Sequence, residues 1–137
     1  MRTVQHTSTN IDRMMWVGAA LALAAGVVYA LIGQKVLAIG NVQVPEGDGT
    51  TFFYLAALAY FIAASLMPVR NRWLWLAGGV MNSLVIVFYV QTNLNRPDLL
   101  LSPGGLISKA VEVGLELVLV YLIGFGWFRV SNPGEWR

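Results

Sequence analysis

Four long apolar runs separated by short polar breaks dominate this chain, and they leave few folds open to it. They cover about Met14–Gly33, Thr51–Met67, Trp73–Val90 and Gly104–Phe128. Each approaches or exceeds the roughly 20 apolar residues that carry a helix across about 30 Å of hydrocarbon. Strands are excluded, because the runs are too long and too rich in Ala and Leu. Of the 137 residues, 57% are hydrophobic and 12% charged, against about 25% charged in a soluble globular domain. So few charges cannot cover a water-facing surface. The sequence predicts an all-α integral membrane protein: an antiparallel four-transmembrane-helix bundle, one domain over residues 1–137, with the lipid bilayer as its surroundings.

Composition also removes chemistry. The chain has no cysteine and one histidine, His6, ahead of the first apolar run. Thiolate catalysis, disulfides, Cys-based zinc sites and bis-His haem ligation inside the membrane are therefore excluded. A net charge of +2 without a basic cluster gives no nucleic-acid patch.

Charge placement sets the expected orientation. Arg2, Arg13, Arg70, Arg72, Arg129 and Arg137 lie on one side of the four runs, and Lys35, Arg96 and Lys109 on the other. Six against three places both termini in the cytoplasm. Trp16, Trp73, Trp75, Trp127 and Trp136 fall at the cytoplasmic ends, and Phe52, Phe53, Tyr54 and Tyr89 at the opposite interface, as aromatic belts do. The first run exceeds the 7–15-residue core of a signal peptide, so it is expected to be retained. Helix-capping residues are Ser8-Thr9-Asn10, Thr50, Asn71, and Ser102 ahead of Pro103. The short Pro68–Arg72 connection makes spans two and three a hairpin. Gly40, Pro45, Gly47 and Gly49 with Glu46 and Asp48 read as a solvated turn, and Leu99-Leu100-Leu101 as a segment held at the interface or against the bundle.

Close helix approach is expected along span one. Gly18, Ala22, Gly26 and Ala30 recur every four residues and form a ridge of small side chains. In lipid, where no hydrophobic drive joins helices, such ridges let backbones meet. The expected use is packing within the bundle, with a homodimer seam as the sharper alternative.

Span four carries the chemistry. Lys109, Glu112 and Glu116 stand at i, i+3 and i+7, which puts them on one helical face with Ser108 beside them. At about 1.5 Å per residue, Glu116 lies roughly 16–20 Å from the outer end, near the midplane. A charge at that depth costs about 2.5–3.5 kcal/mol on the mildest scale. Glu116 must face the interior, be protonated, or meet a polar partner. Asn82 and Ser83 at the middle of span three and Tyr60 at the middle of span two lie at matching depth. The expected site is a buried ligand- or proton-binding cluster of Lys109, Glu112 and Glu116 closed by Asn82, Ser83 and Tyr60; the bland alternative is a structural lock between helices.

Three functions fit this pattern. The first is a non-enzymatic accessory subunit of a larger membrane complex, or a protein that holds a lipophilic molecule such as a quinone or a lipid head group. The second is a homodimeric proton-coupled transporter with Glu116 exchanging a proton for substrate. In span count the chain resembles the small multidrug-resistance exporters, which place their essential glutamate in the first span; here no charge falls between Met14 and Gly33. The third is a membrane oxidoreductase or isomerase, similar in size and span count to DoxX-like proteins, which would need a bound cofactor for redox work. No residue pattern specifies the cofactor.

Overall fold

A computed structural model describes residues 3–37, 48–95 and 97–130. All described regular structure is helical: α1 (Thr3–Gly33), α2 (Asp48–Leu66), α3 (Arg72–Asn93), the single-turn α4 (Pro97–Leu100) and α5 (Pro103–Val130). Two of these are long and apolar enough to cross a membrane, over Asn10–Gly33 and Arg72–Gln91; Thr51–Leu66 is apolar but shorter. The fourth long helix, α5, carries Lys109, Glu112 and Glu116.

Local chemistry explains most helix ends. Asn71 caps α3, its side chain accepting from the Trp73 amide at 3.0 Å. Ser102 caps α5, its hydroxyl accepting from the Gly105 amide at 3.2 Å, with Pro103 as first helical residue. Two expected starts move. α1 begins at Thr3, well before Ser8-Thr9-Asn10, because no Pro or Gly lies between Thr3 and Asp12 to stop it. α2 begins at Asp48, so Thr50 falls inside the first turn instead of capping it. α1 ends in a Schellman turn: the Val36 amide bonds Leu31 O, the Lys35 amide bonds Ile32 O, and Lys35 itself takes φ 60°. The expectations for Gly40, Pro45, Glu46, Gly47, Arg2, Arg96, Trp136 and Arg137, and for the side chains of His6, Asp48, Leu99, Leu100, Trp127 and Arg129, lie outside the described residues.

The small-residue ridge of α1 is used inside the chain. Ala22 is wholly buried. A Cβ built on Gly18 would stand 3.1 Å from Val118 of α5 and run into the end of Met67; one on Gly26 would stand 2.7 Å from the Phe61 ring and 3.2 Å from Ala57 O. Contacts run in register between α1 and the antiparallel α2 with its following turn, from Gly18–Met67 through Gly26–Ala57 to Gly33–Phe53. α1 packs on α2 and on α5, and α3 packs on α5.

α2 and α3 behave differently from the close hairpin that their short connection suggests. The turn is tight, with Trp75 Nε1 donating to Met67 O at 3.2 Å. Beyond it the two helices part, and an apolar groove of about 340 Å³ lies between them. Ala56, Ala59 and Ala63 form one wall and Ala77 and Gly78 the other, over a floor of Leu115 and Leu119.

The core is mainly apolar but encloses several polar side chains, and many large apolar residues lie on the outside. Glu112, Asn82 and Ser108 are buried, whereas Leu55, Leu58, Ile62, Val80, Leu84 and Phe88 are exposed. Trp16 and Trp73 point outward, 67% and 61% exposed. Trp75 does not join them: it is buried in the turn, so it acts as a packing residue and not as part of an interfacial belt. Arg70 Nη2 pairs with Asp12 at 2.6 Å, tying the α2–α3 turn to the start of α1.

Candidate functional site

Four helices, α1, α2, α3 and α5, bring polar residues to one level of the bundle. The stripe on α5 supplies three ionisable groups, and its spacing turns them toward α1 and α3. Glu112 is fully enclosed. One of its carboxylate oxygens accepts from the Lys109 ammonium, one turn earlier on the same helix; the other accepts from the Tyr29 hydroxyl of α1. Lys109 therefore turns inward. Its side chain is 16% exposed, its Nζ lies 3.4 Å from Tyr29 Oη and 4.3 Å from the centre of the Tyr89 ring. That ring face adds a cation–π contact.

Asn82 of α3 is the hub of the second half. Its amide nitrogen donates to the Glu112 backbone carbonyl and to Glu116 Oε2, both at 2.9 Å, and its Oδ1 accepts from Tyr60 Oη of α2 at 2.9 Å. Both amide hydrogens and the oxygen are used, which fixes the orientation of the side chain. Ser83 Oγ lies 2.7 Å from Glu116 Oε1. Tyr60 stacks on Tyr29 with ring centres 5.5 Å apart, so the two tyrosines join the halves. Among the described residues, no buried side-chain nitrogen or oxygen lacks a partner.

All six residues expected at the cluster, Lys109, Glu112, Glu116, Asn82, Ser83 and Tyr60, are brought together. Ser108 is not: it is buried, but its hydroxyl donates to Gly105 O of its own helix at 3.0 Å. The burial order differs from a depth count along the helix. Glu112 is the enclosed carboxylate, whereas Glu116 is half-buried where α5 meets α3. Sequence reasoning missed Tyr29. The signal was available, because Ala22, Gly26 and Tyr29 stand at i, i+4 and i+7, so the tyrosine continues the ridge that packs inward. It also placed Tyr89 only at an interface, where the ring instead covers the Lys109 ammonium.

Two environments result. Lys109 and Glu112 form a closed ion pair with its hydrogen bonds satisfied, and removing either partner would leave a buried charge. Glu116 has neutral hydrogen-bonding neighbours, Asn82 and Ser83. Among the described residues, no grouping of His, Asp and Glu suits a metal ion. Asn82 and Tyr60 also line the groove between α2 and α3, so the polar network reaches that groove at one point.

No known protein family, no curated protein and no solved structure matches this chain.

Proposed function

We propose that this chain is a small integral protein of the cytoplasmic membrane, an antiparallel four-span bundle with both termini in the cytoplasm, and that it holds a lipophilic molecule in the groove between α2 and α3. The groove carries the reading. Its volume of about 340 Å³ falls within the range of small-molecule sites. Its lining is alanine, glycine and aliphatic side chains with Met67, Met81 and Trp75, and its polar groups are Tyr60 and Asn82. Such a lining suits a molecule with a long apolar body and one polar group. The apolar outer surface and buried polar network support membrane embedding. The shared end of Asp12, Arg70 and Arg72 supports the orientation.

The Lys109–Glu112–Asn82 network is the scaffold for this groove. It holds α5, the floor, against α3, one wall, and Tyr60 ties the other wall to the same point.

The test is to fill the groove. Ala59→Trp places an indole between the walls. Protein purified from its own membrane is extracted with organic solvent and the extract analysed by mass spectrometry. One lipophile recovered at fixed ratio from the wild type and lost from Ala59→Trp is the expected result. Equal recovery of bulk lipid from both proteins would refute the reading.

A further inference from the structure

We propose that the lipophile between α2 and α3 presents a hydrogen-bond donor, a neutral hydroxyl, and that the groove discriminates against molecules whose polar group can only accept; this rests on the reading of the groove as a ligand site. The ground is where each donor of the lining sends its hydrogens. Three lining side chains can donate: Tyr60, Trp75 and Asn82.

Asn82 sets the direction of the chain of bonds. Its side chain lies 2.9 Å from the Glu112 backbone carbonyl, which can only accept, so the amide nitrogen must stand there and the oxygen on the other side. The second amide hydrogen goes to Glu116 Oε2 at 2.9 Å. Asn82 Oδ1, itself only an acceptor, then faces Tyr60 Oη at 2.9 Å, and the tyrosine gives it its one hydrogen. A backbone carbonyl fixes this order, so it does not depend on the charge of Glu116.

The remaining donors are spent as well. Trp75 Nε1–H donates to Met67 O at 3.2 Å. The Leu74 and Trp75 amides go to Asn71 O, and the Met67 amide to Ala63 O. The other lining residues lie within helices, whose amides bond the preceding turn. What the lining has left is lone pairs, on Tyr60 Oη and on Asn82 Oδ1, and no hydrogen to give.

This selects the ligand. A ketone, ether or ester oxygen brought to these positions would meet only other acceptors. A hydroxyl supplies the missing hydrogen. An ammonium would donate too, but no lining residue is acidic, and a buried charge without a countercharge is costly. The class is therefore a neutral lipophilic alcohol.

Hexadecanol and hexadecyl methyl ether test the assignment, since the two share a chain and the ether cannot donate. Wild-type protein is washed repeatedly in detergent, offered both probes at equal concentration, and the bound masses are compared by native mass spectrometry. Ala59→Trp, with its groove filled, gives the background from the micelle. Above that background the alcohol should be held about threefold to tenfold over the ether, the worth of one neutral hydrogen bond. Equal retention of the two, or preference for the ether, with both lost from Ala59→Trp, would overturn the donor assignment and leave the groove reading standing. If wild type holds neither probe above the Ala59→Trp background, the groove reading falls and this assignment with it. The comparison of probes is made within the wild-type protein, so it does not hang on the folding of a variant that has lost part of the network.

Discussion

The Tyr29 hydroxyl on α1 donates to the Glu112 carboxylate on α5, 83 residues further along the chain. This bond closes the ion pair from the side that Lys109 does not cover, and it is the polar tie between the first and last long helices. A buried carboxylate that loses one of its donors pays the full desolvation of that oxygen, about 1–3 kcal/mol. Tyr29→Phe keeps the ring stack on Tyr60 and removes only the hydroxyl. We expect it to destabilise the protein by that amount, measured as a lower thermal midpoint in detergent. In a Glu112→Gln background the same substitution should cost clearly less, and the double-mutant cycle isolates the pair.

Removing the cation should be worse. Lys109→Met leaves the enclosed Glu112 carboxyl without its cation, and breaking a buried pair from one side costs about 3–5 kcal/mol. The combined Lys109→Met/Glu112→Gln variant restores neutrality and should recover part of that loss. Equal stability of the single and combined variants would show that the pair is not closed in the way the bundle requires.

The glycines of the helices divide by what stands opposite them. Gly26→Ala puts a methyl 2.7 Å from the Phe61 ring, with the Ala57 carbonyl behind it, so a ring and a backbone must shift. Gly18→Ala meets chiefly the flexible end of Met67, which can turn aside. Gly124→Ala meets nothing within 4 Å. The expected order of melting temperatures is Gly26→Ala lowest, Gly18→Ala intermediate and Gly124→Ala at or above wild type, since alanine gains up to about 1 kcal/mol over glycine in a helix.

Topology has a direct probe because the chain lacks cysteine, so any single introduced thiol is the only one. Val36 and Val69 are exposed residues just beyond the C-terminal ends of α1 and α2. With both termini in the cytoplasm, Val36→Cys should react with a membrane-impermeant maleimide on intact cells. Val69→Cys should react only after permeabilisation. The reverse pattern would invert the bundle.

Much of this was legible in the residues themselves, for identifiable reasons. The Lys109, Glu112 and Glu116 stripe follows from helical periodicity alone, and Asn82, Ser83 and Tyr60 followed from depth matching between neighbouring runs. Asn71 and Ser102-Pro103 acted as caps because their chemistry is local. What depends on tertiary arrangement was not visible. Tyr29 looks like one aromatic residue in an alanine-rich helix until its place on the packed ridge is counted. The groove arises because α2 leans on α1 while α3 leans on α5, and a five-residue connection constrains only the turn end. Glu112 rather than Glu116 is the enclosed carboxylate because enclosure is set by neighbouring helices, which distance along one axis does not report.

Native mass spectrometry of the protein released gently from its own membrane tests the groove reading most directly. A monomer or homodimer carrying one lipophilic molecule per chain, displaced in Ala59→Trp, is the predicted result. A heteromeric complex of fixed stoichiometry with no small molecule bound would contradict it and make the chain a subunit, with the α2–α3 groove filled by its partner.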